Sequence, residues 1–186
     1  MTLGGYCTLL RIVRRIRPAE LPNQKGTRPA LAEPEVAPPP RPRIFLGPGE
    51  VDAVRDRARN TPGFLDRIRE DAEQASHDEK VFGDDREIPY FVQGTIKSLA
   101  VAAFLLEDES YAKRALEGVE SMFKWPAEEW VARPHRPMRC DHAMLNAAST
   151  IGIAQDLCAG FWGDEAVASV SQRINHYTVG VFLDTW

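Results

Sequence analysis

The segment from Ile96 to Trp125, IKSLAVAAFLLEDESYAKRALEGVESMFKW, limits the fold more than any other part of this 186-residue chain. From Ile96 to Leu106 apolar side chains fall on every side of a helical wheel, and a helix that is apolar all round has to be covered on all faces. After the acidic turn Glu107-Asp108-Glu109 the pattern changes. Tyr111, Ala115, Val119 and Met122 form one stripe, while Lys113, Arg114, Glu117 and Glu120 are left for water. The spacing predicts an inner helix followed by an outer one across a tight turn.

The alternation returns further on. Ala143 to Cys158 carries a single charge, Asp156, among Ala, Ile, Leu and Met, which predicts a second buried helix. After the Gly160-Phe161-Trp162-Gly163 break, Asp164 can cap a helix whose Val167, Val170, Ile174 and Val181 share one face. Each inner/outer pair leaves an apolar face that only a neighbouring pair can cover, so successive pairs build a solenoid or an α/α toroid. The expected fold class is all-α: antiparallel helical hairpins forming part of an incomplete α/α toroid over residues 43–186.

Residues 1–42 read differently. Nine of the fourteen prolines precede residue 49, and Pro38-Pro39-Pro40-Arg41-Pro42 can make neither a helix nor a central strand, so a disordered Pro-rich tail is expected. The apolar run Tyr6–Leu10 is shorter than the ~7–15 residues of a secretory core. Leu9, Ile12, Val13 and Ile16 set against Arg11, Arg14, Arg15 and Arg17 make a short amphipathic pattern that surface attachment to acidic lipid could use. No stretch reaches the ~18 apolar residues that span a bilayer, so no stable membrane insertion is expected.

Charge excludes a further class. Residues 1–43 hold eight Lys/Arg against three Glu (+5), leaving fifteen against twenty-four (−9) for the remainder. An acidic body argues against nucleic-acid binding through a broad basic face, and no glycine-rich phosphate loop is present. Cys7, Cys140 and Cys158 lack ligand spacing and read as free buried thiols, while Cys140 with His142 is at most half a zinc site. No metal or cofactor is expected.

Ahead of the first inner helix, Arg43-Ile44-Phe45-Leu46 is a short extended run, and a helix starting at Gly49 or Glu50 would turn Val51, Val54 and Ala58 inward. Thr61-Pro62 is expected to open the next helix, the hydroxyl capping its first turn, with Phe64, Ile68, Ala72 and Ala75 buried. The order of these motifs carries a resemblance. Pro42-Arg43-Ile44-Phe45-Leu46, Glu50-Val51 through Arg57, Thr61-Pro62 through Ile68, Ala103-Phe104-Leu105-Leu106 through Ala115, a Trp-bearing loop, Ile153-Ala154-Gln155-Asp156-Leu157 and Gly163-Asp164-Glu165 follow one another. Over roughly residues 41–186 the chain resembles the N-terminal part of the heparinase II/III-like polysaccharide lyases, which include oligoalginate lyases. It departs from them at Gln155-Asp156-Leu157, where such proteins often have Tyr-Asp-Trp.

The resemblance implies an α/α toroid followed by β-sandwich sheets, an acidic polysaccharide as partner, β-elimination as the reaction, and a periplasmic or secreted location. At roughly 40 residues per pair, the length after the tail supplies about three pairs. The expectation is therefore an N-terminal fragment without catalytic competence of its own, the catalytic Asn/His motif lying beyond Trp186. An exposed flank on the last pair also leads us to expect self-association through that edge.

The candidate site is the loop from Trp130 to His142, which enters the second inner helix and is rich in cations within an acidic body. Arg133, Arg136 and Arg139 can pair with a carboxylate or sulfate, His135 and His142 add polar contacts, and Trp130 can stack on a sugar face. The same residues also suit a solvated connecting loop with Trp130 packed beneath it. Asn175-His176-Tyr177 holds the side-chain types an elimination uses, but adjacent helical residues point about 100° apart and do not converge, so a structural role is expected. A tetratricopeptide-like scaffold would need a ~34-residue period, which the loop after Trp125 breaks. A toroidal glycoside hydrolase would need two carboxylates about one bond, and Asp141 and Asp156 on one helix would be ~22 Å apart.

Overall fold

In the computed structural model, residues 41, 42, 44, 46, 47, 49–83, 93–126 and 142–180 are described, all within the compact unit Pro38–Trp186. They form α1 (Glu50–Arg59), α2 (Phe64–Ser76), α3 (Glu79–Phe82), α4 (Gln93–Leu106), α5 (Glu109–Met122) and α6 (His142–Asn175), with a π-turn at His176–Gly180. Among the described residues there is no strand, and no helix is long and apolar enough to cross a membrane.

Helix α4 is the most covered helix among the described residues because, past its first turns, its residues leave it almost no wet face. Ile96, Leu99, Ala100, Ala102, Ala103, Phe104 and Leu105 are buried, and α2, α5 and α6 all pack against it. Alanines at 100, 102 and 103 let the neighbouring backbones approach closely. Helix α5 buries one stripe, Tyr111, Ala115, Val119 and Met122, as its period requires. The turn between them closes by local chemistry. Glu107 takes a left-handed conformation (φ 56°), Asp108 N–H donates to Ala103 O at 3.2 Å, and the Asp108 carboxylate accepts from Ser110 N at 2.8 Å and Ser110 Oγ at 2.6 Å. The first is a C-cap and the second an N-cap, so one acidic pair stops one helix and starts the next. Those Ser110 contacts hold the Asp108 carboxyl below its usual range.

The second inner segment is the first half of α6, where Ala147, Thr150, Ile151, Ala154, Gln155, Asp156 and Cys158 are buried. Gly163 (φ 76°, ψ 163°) breaks the helix where the glycine-bounded segment predicts it. Gln155 Nε2 then donates to Val167 O at 2.7 Å and to Ser171 Oγ at 2.6 Å. Twelve residues of continuous helix would separate Gln155 from Val167 by ~18 Å, so these bonds require the chain to double back at the glycine. Val170 is buried in this second half, with Val167 and Ile174 half-buried. Trp162 Nε1 ties the bend to α5 by donating to Ala112 O at 2.8 Å.

Three expectations need correcting. Phe64 is 40% exposed rather than part of the α2 stripe, which in fact runs through half-buried Ile68 and buried Ala72 and Ala75. Helix α2 begins after Gly63 in the left-handed region, and the Thr61 hydroxyl donates backwards to Arg57 O at 2.8 Å instead of capping it. Arg114 is half-buried: its Nε and Nη2 both donate to Ser76 O, at 3.1 and 2.8 Å, while the guanidinium lies 3.4 Å from the Phe82 ring centroid. The last turn of α2 leaves that carbonyl without a helical partner, and a cation there is favourable.

Candidate functional site

Trp130, Arg133, His135, Arg136 and Arg139 lie outside the described residues. His142 is the first residue of α6, and its side chain is likewise outside them. What the described residues provide is the frame around that loop: α5 leads to Trp125 on one side, and α6 departs from His142 on the other.

The described residues also border an open cleft. It encloses about 800 Å³ between the end of α2, the short α3 and the first turns of α4, and is lined by Asp71, Gln74, His77, Asp78, Glu79, Lys80, Thr95 and Ser98. Asp78 builds its wall: the carboxylate caps α3 by accepting from Lys80 N at 3.1 Å and also accepts from Thr95 Oγ1, joining α3 to α4. His77 follows directly on α2 and is exposed. Three carboxylates against one lysine give the cleft a negative balance. A uronate would meet like charge there, at a cost that salt only partly screens. The charge of the cleft therefore suits neutral or cationic groups better than anions. No motif in the sequence marked this cleft. Its one local signal is Asp78 standing before Glu79-Lys80 as a helix cap.

Other polar side chains are structurally committed. Tyr177 Oη donates to Phe123 O at 2.7 Å, and its ring meets Phe123 edge-on with centroids 5.2 Å apart. Tyr177 thus packs structurally, while Asn175 and His176 beside it are exposed. Asp156 is 1% exposed and accepts from Ile44 N at 2.9 Å and Arg41 Nη1 at 3.5 Å, so it does not face a sugar cleft as a hydrolase carboxylate would. Cys158 is a free buried thiol, pushed up to about 12 by desolvation. Among the described residues no cluster of His, Cys, Asp or Glu could hold a metal ion.

Tyr111 supplies a test of packing between α2 and α5. Its hydroxyl donates to Glu73 Oε1 at 2.7 Å, and this bond, with burial, raises the phenol from 10.0 to about 12. The folded state thus holds this proton more tightly than the unfolded chain does. The stabilisation is complete below pH 10 and is lost as the pH climbs towards 12. Denaturant titrations across that window are expected to show a shallower loss of stability for Tyr111→Phe than for the wild type. Identical slopes would contradict the assignment.

Compared with known proteins, the chain matched no family model, no curated protein and no solved structure.

Proposed function

We propose that this chain is the N-terminal, helical part of a polysaccharide lyase that acts on uronic-acid-containing polymers by β-elimination, and that it binds the acidic chain without cleaving it alone. The observation that carries the reading is the order of burial. A helix covered on nearly every side (α4) is followed by a one-stripe helix (α5), and the first half of α6 is followed by a second half that doubles back on it. The two covered segments pack on one another. Successive staves of an α/α toroid have this arrangement, and the motif order described above resembles that of the heparinase II/III-like lyases. Self-association through the flank of the last pair belongs to the same proposal.

Elimination needs a group that neutralises the uronate carboxylate, a base at the C5 proton and an acid for the leaving oxygen. The first of these is what Arg133, Arg136 and Arg139 offer, because a guanidinium pairs with a carboxylate through two parallel bonds. The base and acid are assigned to no residue of this chain. A tetratricopeptide-like scaffold fits less well, since the step from Gln93 at the start of one pair to His142 at the start of the next exceeds a ~34-residue period.

Isothermal titration with alginate and heparin oligosaccharides at low salt tests the reading. The wild type is expected to bind, and the Arg133→Ala/Arg136→Ala/Arg139→Ala variant to bind at least about tenfold more weakly, the loss of one or two charge-assisted bonds. Circular dichroism confirms that the variant retains its helices. Equal affinity in the two proteins would dispose of the proposal.

A further inference from the structure

Arg41, Ile44 and Leu46 belong to a strap ahead of α1, and two of these described residues hydrogen-bond to one buried side chain of the body. Asp156, buried in the first half of α6, accepts from the Ile44 amide at 2.9 Å and from Arg41 Nη1 at 3.5 Å, although these residues are 112 and 115 positions away. A carboxylate taken out of water has to be satisfied by donors, and these two, among the contacts that Asp156 makes, come from the strap. The apolar attachment of α1 itself is slight. Helix α1 buries Ala58 alone, with Val51 and Val54 half-buried, and packs chiefly on α2.

Beneath it lies a small apolar cluster of Ala58, Phe104 and Leu105, bordered by Leu46, Val51, Val54, Leu65 and Val101. The main core, from Ala72 through Ile96, Leu99, Val119 and Ile151 to Val170, is a separate cluster that among the described residues shares half-buried Ile68 and Leu157 with the small one. The remaining tethers of α1 are a half-buried arginine and a surface one. Arg55 Nε donates to Phe104 O at 3.1 Å, and Arg55 and Arg59 pair with Glu107 at 3.0 and 2.9 Å. The Arg55 guanidinium also lies 4.8 Å from the Phe104 ring centroid, whereas the exposed Arg59–Glu107 pair holds little. Glycines with positive φ stand at both ends of α1, Gly49 (87°) before it and Gly63 (68°) after the Asn60-Thr61-Pro62 turn.

We propose that the strap and α1 form a flap that opens as a unit about the Asn60–Gly63 turn, latched shut by the Asp156 carboxylate on Ile44 and Arg41. Opening leaves the α2–α6 core intact and uncovers Phe104, Leu105 and Asp156. The flap is the part of the body that unfolds first, and the latch sets how often it does so.

Native-state hydrogen exchange by mass spectrometry tests this on the full chain. In the wild type, amides of Val51–Ala58 are expected to exchange faster than those of Ala112–Val119. Arg41→Ala, which removes one latch contact from the solvent side without touching α6, and Asp156→Asn, which keeps an acceptor for Ile44 but loses the charge on Arg41, are expected to speed the α1 amides by about tenfold while leaving α5 unchanged. Trypsin cleavage after Arg55, Arg57 and Arg59 should accelerate in step. Wild-type rates in α1 for both variants would overturn the proposal. So would equal acceleration in α1 and α5, which would make Asp156 part of the global core rather than a latch.

Discussion

Leu99→Ala is expected to lower the folding free energy by about 2–5 kcal/mol, while Leu145→Ala changes it by less than about 0.5 kcal/mol. Both residues sit on helices read from the sequence as inner, and both are leucines, so chemistry is held constant and position decides. Leu99 is 0% exposed in the centre of α4, where α2, α5 and α6 all pack. Removing its branch leaves a cavity whose walls belong to three different helices, and none can move inward without leaving its own partners. Leu145 is 54% exposed in the first turn of α6 and leaves no cavity. For a body of this size the first loss corresponds to a fall in melting temperature of roughly 10 °C. Urea titrations followed by far-ultraviolet circular dichroism would measure both. Equal losses would mean that α4 is not the central stave, and the inner/outer order behind the functional reading would go with it.

How far the sequence carried can be judged from Phe64, Arg114 and Asp156. Apolar pattern separates a helix covered all round from one that turns a single face inward, and it did so for α4 and α5. It does not say where along that face the cover ends. Phe64 lies in the first turn of α2, and helical side chains lean towards the N-terminus, so this ring projects past the end of the helix rather than onto a neighbour. Arg114 belongs by charge to the wet side of α5, yet α3 and the end of α2 pack beside it and give its guanidinium a ring and a carbonyl. A long cationic side chain can cover apolar surface while its head finds acceptors, and pattern alone cannot reveal that. Asp156 was legible as an isolated charge in an apolar run. Its donors were not, because they lie more than a hundred residues earlier, in a segment whose own sequence reads as an extended run. The acidic cleft was illegible for the same reason: Asp78 and Thr95 meet only through the tertiary fold. The cationic loop shows the converse, since its composition is plain in the sequence while its geometry lies outside the described residues.

Gly118→Leu is expected to cost about 3 kcal/mol, although every helix-propensity scale favours the substitution. Gly118 is buried on α5 where that helix crosses the start of α4. A β-carbon there would stand 2.9 Å from Ile96 Cγ1, 3.4 Å from Ile96 Cδ1 and 3.5 Å from Val81 Cγ1. Ile96 cannot swing aside, being fully buried and β-branched, with its first torsion fixed by its own helix. Even alanine would therefore set a gain of about 1 kcal/mol in propensity against a contact that real side chains do not tolerate. Leucine adds three more carbons to the same space. The clash has a partner, so it has a remedy: Ile96→Ala removes the opposing atoms and opens a volume that the new leucine can fill. Each single variant should be markedly destabilised, and the double variant should be more stable than the sum of the two by about 1–3 kcal/mol, the coupling expected of residues in direct contact. Stabilities that simply added, to within about 0.5 kcal/mol, would show that α4 and α5 do not meet at this glycine. The close approach of an inner helix to its outer companion would then lose its strongest support.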